Sequence, residues 1–460
     1  MARKILLLVP FFLARLCAQG NADSQAVLSQ VLQRLDALEQ ENRELVMEVR
    51  SLRKELDASR GQIPNGTAIA AEAESASPPN QPTTDERLTV LEHRTAEQAQ
   101  TKVEASQKFP ISLDGMLLFN AFANSDNAAT MNSSSYGLLT GPATAGATIR
   151  QTLLGLELEG PKLPGGGRVN GSVMMDFWGG SSTPGVSWLR VRRADISLDW
   201  KNRSFSVGQD KPLISPYQPD SLAEVGIPPL AGAGNLWLWL PQARYEERIP
   251  IGTRDGLTGQ LAMLQTGENY QNVPDEYQDS LEPARPGVEG RLAYWHKFDD
   301  IRRFEIGSGF HASSTHVAGS SAPSRIASLD WRIVPFSKLD FTGTAFTGQN
   351  VASLGALGNG VTIGRNDRVH TVDSSGGWAQ LSFPLTPRFT WNIFGGIESD
   401  GPMYLARYGV ARNLTYASNF MYHIGPNVIV SLEGLQMRTR TFSGVREIYN
   451  HYDLALGYLF

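Results

Sequence analysis

The sequence predicts an all-β fold: a 16-stranded antiparallel transmembrane β-barrel over residues 111–460, with an N-terminal α-helical coiled coil ahead of it. Three observations carry this reading. The last stretch, Ile448 to Phe460, alternates strictly: Tyr452, Leu454, Leu456, Tyr458 and Phe460 make an apolar face, with His451, Asp453, Ala455, Gly457 and Leu459 between them. A strand of this kind suits a wall that meets lipid outside and small or polar groups inside. The same period of two recurs in sixteen segments from Ile111 onward, and the connections between them are sorted by length. Finally, after the first 20 residues no apolar run approaches the roughly 18 residues that a spanning helix needs, and mean hydropathy is −0.23. A membrane crossing by this chain therefore needs strands, and only a closed barrel satisfies all their backbone hydrogen bonds in hydrocarbon.

Residues 1–20 read as a signal peptide. Arg3 and Lys4 precede the apolar run Ile5 to Leu13, and small residues follow around Cys17, Ala18 and Gly20; cleavage after Ala18 and after Gly20 both fit. Cys17 is the single cysteine, so the mature chain has neither disulfides nor thiol chemistry. Loss of Arg3, Lys4 and Arg15 takes the net charge from −5 to −8, which argues against nucleic acid as a general partner.

Over residues 22–60 the positions Leu28, Val31, Leu35, Leu38, Asn42, Leu45, Val49, Leu52 and Leu56 alternate spacings of three and four. This is a heptad seam, with Arg34, Glu39, Glu41, Glu48, Arg53 and Glu55 flanking it. Asn42 fixes register and favours dimers, whereas Leu28 and Leu35 weaken that preference, so two or three strands both fit. Residues 61–84, rich in Ala, Pro, Ser, Thr and Asn, read as a flexible linker. Residues 85–108 read as a short helical segment with Leu88 and Leu91 as its apolar pair.

From Ile111 the alternation takes over. Leu329, Trp331 and Ile333 share one parity against Asp330 and Arg332; Phe389, Trp391 and Ile393 oppose Thr390 and Asn392; Val428, Val430 and Leu432 oppose Ser431 and Glu433. The expected lumen is polar, and sixteen strands enclose an aqueous channel. Short turns follow the even-numbered strands, such as Lys201 to Arg203, Pro384 to Pro387 and Ile424 to Pro426. Long loops follow odd-numbered ones, notably Asn124 to Ala147, Lys211 to Leu240, Gly267 to Pro286 and Asn350 to Asp373. With its terminal Phe460, this pattern resembles bacterial outer-membrane β-barrels. The resemblance implies short turns and coiled coil on the periplasmic side, and a last strand (Tyr452, Leu454, Leu456, Tyr458, Phe460) that signals insertion to the barrel-assembly machinery.

The most charged segment is the fourth, SWLRVRRADISLDW, followed by SVGQDKPLISP. Residues Leu189 to Trp200 and Val207 to Pro216 resemble the phosphate-selective and dicarboxylate-type porins, in which an Arg-Arg strand precedes a Gly-Gln-x-Lys-Pro strand end. Among these the DcaP-like porins, with a coiled coil ahead of a sixteen-stranded barrel, match the layout. The resemblance implies a homotrimer, small anionic solutes, and an inward-folding constriction loop at Lys211 to Leu240. Pro and Gly make that loop stiff and non-helical, and its NLWLWL end is expected to pack on the barrel wall or rim.

Candidate pore-lining residues are Arg193 and Asp195, which share a face of strand four with Ser197 and Asp199; Lys211; and Arg244, Glu246 and Arg248, which share a face of strand six. Lumenal cations lower the barrier for anions, and neighbouring acids limit retention. The same arginines equally suit structural pairs with Asp195, Asp199, Asp210, Glu246 and Glu247. Alternation puts Arg190 and Arg192 on the lipid parity, which leaves the headgroup rim, a subunit interface or a bulge as their place. His311 and His316 fall on opposite faces, and no Gly-x-Ser-x-Gly, zinc-spacing or phosphate-loop pattern occurs. The expectation is an outer-membrane channel for passive diffusion of small hydrophilic solutes, with no enzyme activity, cofactor or metal. The partners expected are outer-membrane lipid and other copies of the chain. The alternative is an adhesive or envelope-tethering protein whose coiled coil holds the cell wall while the barrel anchors it.

Overall fold

The computed structural model describes residues 111–127, 136–137, 140–180, 187–268, 273, 275–364, 368–401 and 409–460. The signal peptide, coiled coil, linker and short helical segment expected over residues 1–108 lie outside these.

Sixteen antiparallel strands close into a barrel. They are β1 (Ile111–Asn124), β2 (Thr144–Thr148 and Leu153–Leu163), β3 (Gly167–Gly179), β4 (Trp188–Asp199), β5 (Arg203–Asp210), β6 (Leu240–Pro250), β7 (Asp255–Gln265) and β8 (Pro286–Lys297). The second half comprises β9 (Arg303–Val317), β10 (Ser320–Phe336), β11 (Leu339–Gln349), β12 (Asp373–Thr386), β13 (Phe389–Asp400), β14 (Val410–His423), β15 (Val428–Thr441) and β16 (Arg446–Leu459). Each strand pairs with its neighbours in sequence, and β1 pairs with β16 from Met116↔Leu459 to Asn124↔His451, so no edge remains. Gly115 admits this closure. A Cβ there would lie 2.5 Å from the Leu153 carbonyl oxygen and 2.7 Å from the ring of Phe460, whose backbone pairs with Gly115 in both directions.

The apolar parity faces outward. Tyr452, Leu454, Leu456 and Tyr458 are exposed on the exterior while His451, Asp453 and Ala455 between them are buried. Turns after even-numbered strands are short, as at Ser337–Lys338 and Pro387–Arg388. The long-loop rim has two short connections, residues 442–445 between β15 and β16 and a tighter one between β9 and β10. Ala318 and Gly319 join β9 to β10 with φ of 50° and 73°, the left-handed pair that a two-residue hairpin turn requires.

Three departures from simple alternation matter for the interior. The second strand, expected to run unbroken from Thr148, starts at Thr144, and both its pieces pair with β1. Between them, residues 149–152 break the pleat and leave Arg150 and Gln151 both buried. On β4, Val191 pairs with Met175 and Arg193 with Met174, so Arg192 is the extra residue of a β-bulge. Third, the lumen is not uniformly polar. The loop from Lys211 to Trp239 runs inside the barrel, and its apolar residues pack on inward-facing ones. Ile214 and Leu236 meet Ile326 and Phe346, Leu230 meets Trp378, Phe394 and Leu435, and Leu222 and Val225 meet Leu118 and Ile429. Apolar side chains entering a wet channel need an apolar partner, and the wall supplies it.

Candidate pore constriction

The loop Lys211–Trp239 is held against the wall at points around most of the barrel circumference. The Leu213 amide donates to Glu289 on β8, and Ser221 donates to Glu433 on β15. Gln380 on β12 both accepts from the Asp220 amide and donates to its carboxylate. Asn120 on β1 donates to the Leu222 carbonyl, and Asn413 on β14 to that of Gly232. Gln151, freed by the break in β2, accepts from the amides of Val225 and Gly226 at 2.6 and 2.8 Å and donates to the Ala223 carbonyl at 2.7 Å. On the return path Gly234 (φ 98°) lies against Gly377 so closely that a Cβ would sit 2.4 Å from the Gly377 carbonyl oxygen. The barrel cross-section is thereby narrowed from within.

The cations of this narrowing come from the break in β2, from β4, β6 and the start of the loop, and its carboxylates from β3 and β5. The bulge at Arg192 turns Arg190 and Arg192 inward with Arg193, which decides among the three places open to the first two. Arg190 forms a bidentate pair with the fully buried Asp176 and donates to the Gly226 carbonyl. Arg192, 7% exposed, reaches Asp176 only at 3.8 Å and lies over the Trp239 ring at 4.6 Å, with Nε and Nη1 unbonded. Arg190 shares that ring at 5.3 Å, and Arg150 lies over Trp178 at 4.9 Å while donating to its carbonyl. These indole faces hold guanidinium groups without neutralising them.

Arg193 Nε stands 3.0 Å from Asp210, an ion-pair contact without hydrogen-bond alignment, and Arg244 stands 3.3 Å from the same carboxylate. Lys211 donates to the Pro216 carbonyl. Burial pushes its ammonium down to about 8, helped by Arg193, Arg244 and Arg192 and opposed by Asp210. Six cations (Arg150, Arg190, Arg192, Arg193, Lys211, Arg244) therefore cluster around two carboxylates, Asp176 and Asp210.

The remaining candidates fall elsewhere. Asp195 accepts from Ser172, and Asp199 from Asn170, Ser197 and Ser204, below the cluster on β4. Glu246 accepts from Gln260 and Arg248. Arg248 is highly exposed near the short-turn rim, four residues and about 13 Å along β6 from Arg244. The strand thus separates it from the narrowing. The sequence-based set omitted Arg150, Gln151, Asp176, Trp178 and Trp239, and left Arg190 and Arg192 unplaced. One signal was present: in LRVRRAD the charged parity switches between Arg192 and Arg193, the mark of a bulge.

Across the lumen the charges are balanced or covered. Arg291 is held by Asp330 and Glu305, and Arg332 by Asp340. Glu224 and Glu433 are buried between loop and wall, as is Glu398 beneath the Leu357 amide. The carboxylates of that side lie largely behind the loop, while Arg190, Arg193 and Arg244 keep side-chain exposures of 27, 41 and 21%.

Among solved structures, the outer membrane channel DcaP of Acinetobacter baumannii is similar in fold, at TM-score 0.64 and 14% identity over 76% of this chain and 97% of that one. An anion-selective porin from Comamonas acidovorans is similar at TM-score 0.52 and 12% identity, over 76% of this chain and 99% of that one. No family model matches the sequence, and no curated protein does.

Proposed function

We propose that this chain is an outer-membrane porin that passes small hydrophilic solutes passively down their gradients, with a bias toward anions such as dicarboxylates. The observation that carries the reading is the cluster of six cations on two carboxylates at the narrowed part of a closed barrel. Anions gain from a cationic wall that its two carboxylates do not neutralise, and those acids, Asp176 and Asp210, keep binding weak enough for release. The heptad seam and the porin-like fold support a homotrimer carrying its coiled coil in the periplasm.

The test is the reversal potential of the purified protein in planar bilayers under a KCl gradient, wild type against Arg193→Gln/Arg244→Gln. A unit charge about 5 Å from an ion's path is worth about 0.8 kcal/mol in water, roughly a fourfold change in local anion occupancy before screening. Removing both cations also strips Asp210 of its two ion-pair partners and leaves it to Lys211, so the potential is expected to move toward the cation-selective side. An unselective wild-type pore, unchanged in the variant, sinks the anion bias; absence of pores sinks the porin reading.

A further inference from the structure

Outside the channel, one group of charges has no role in it. Arg412 on β14 pairs in register with Arg440 on β15, and Arg440 pairs with Arg446 on β16. Directly paired residues of an antiparallel sheet point to the same face with Cβ atoms about 5 Å apart, so three guanidinium groups stand side by side. All three are exposed, while Asn413, Thr439, Thr441 and Tyr449 of the opposite parity are buried in the lumen. The row therefore faces outward, above the apolar belt of Phe420, Leu432 and Tyr452. Arg438, one step below, is fixed by Tyr416 and Gln436.

No described carboxylate forms an ion pair with any of these four arginines, and residues 128–135, 402–408 and 442–445 contain no Asp or Glu. Like charges directly opposite each other destabilise a sheet. A single arginine at an interface extends its head toward water without such a cost, so three adjacent ones call for a multivalent anion. The row continues sideways into hydroxyls: Ser399 pairs with Arg412, Ser375 with Ser399, and Thr347 with Ser375. These hydroxyls line a depression of about 590 Å³ together with Arg325 and the carboxylates Asp373 and Asp400, which suit sugar hydroxyls there and leave the phosphate to the arginine row. Beneath it on the same strands lies an apolar depression of about 490 Å³ floored by Ala345, Gly377 and Gly395 and walled by Trp331 and Tyr416.

We propose that the outward face of β11–β16 at the long-loop rim binds a lipid with a phosphorylated sugar headgroup. Phosphate sits on Arg412, Arg440 and Arg446, sugar hydroxyls meet Thr347, Ser375 and Ser399, and an acyl chain lies in the small-residue groove below. Arginine forks match phosphate geometry, and charge-assisted bonds of this kind are the strong ones. The proposal rests on the outer-membrane reading, which turns this rim toward the outer leaflet. A second copy of the chain fits less well, because the outward strand positions at this end offer one carboxylate among the described residues, Asp373.

The experiment compares the detergent-purified full chain with the Arg412→Gln/Arg440→Gln/Arg446→Gln variant by native mass spectrometry after incubation with lipid A, a bis-phosphorylated acylated disaccharide, or with its dephosphorylated form. Single-channel recordings confirm that both proteins fold and conduct, which separates failure of this site from failure of the porin reading. The expected result is salt-sensitive retention of lipid A by the wild type, weakened in the variant on the order of tenfold or more, and little retention of the dephosphorylated lipid. Equal retention by variant and wild type overturns the proposal. Competition by inorganic phosphate alone at the same concentration overturns the lipid as its source. Loss of the oligomer in the variant, with lipid retention unchanged, assigns the face to a contact between copies instead.

Discussion

Arg192 and Lys211 show how far a single residue's chemistry departs from its place in the alternation. Strict parity sends Arg192 to lipid; one extra residue in β4 sends it inside, where Trp239 supports it and only a distant carboxylate answers it. Lys211 is displaced in its chemistry instead, since burial beside three arginines brings it down to about 8 from an ordinary 10.5. A lowered lysine is charged below its shifted value and neutral above it. The proposed anion selectivity is therefore expected to hold steady from about pH 5 to 7 and to fall as pH rises through about 8. Reversal potentials at pH 6 and pH 9 measure this. In Lys211→Met the step should vanish and selectivity at pH 6 should match the wild type at pH 9. A wild-type potential that is flat across this range would mean that Lys211 does not face the passage.

At the scale of elements, the strands were legible, and of their irregularities only the bulge at Arg192 left a local mark. Alternation is a local property, so Tyr452 to Tyr458 or Leu329 to Ile333 reveal their outer face without knowledge of any partner. The inner face is set by what fills the lumen, and that depends on a loop whose path is a sum of contacts far apart in sequence. Phe346, Trp378, Phe394 and Met437 are inward and apolar because the loop covers them. Similarly, nothing local announces that residues 149–152 break β2, yet that break supplies the Gln151 latch. Its three bonds to buried backbone groups of the loop make it a sharp test. Gln151→Ala orphans Val225 N, Gly226 N and Ala223 O, at a cost of about 1–3 kcal/mol per group where water does not replace the bond. The expected outcome is a noisier open channel of higher mean conductance with an unchanged barrel, read as single-channel current and circular dichroism. A quiet channel of wild-type conductance would show that the apolar clusters seat the loop unaided.

For the whole molecule the decisive step is closure, because a transmembrane barrel with one unpaired seam leaves backbone groups unsatisfied in hydrocarbon. Here the seam joins the first described strand to the last, Met116↔Leu459 through Asn124↔His451, over a separation of more than 300 residues. Its tightest point is Gly115, where the Leu153 carbonyl and the Phe460 ring occupy the space a side chain would need. Enlarging it, as in Gly115→Leu, pushes the terminal ring and the neighbouring strand apart, an overpacking cost on the order of 1–3 kcal/mol placed where no alternative pairing exists. The folded fraction after refolding into detergent, read as the heat-sensitive shift in gel mobility, should therefore fall in Gly115→Leu. Gly425→Ala, in a turn with open space around it, should refold like the wild type. Phe460→Ala removes the ring but not the backbone pairing with Gly115, so combining it with Gly115→Leu should recover part of the yield. If Gly115→Leu refolds as fully as the wild type, the seam is looser than its geometry states and the terminal aromatic acts before closure, as a recognition signal, rather than in the closed wall.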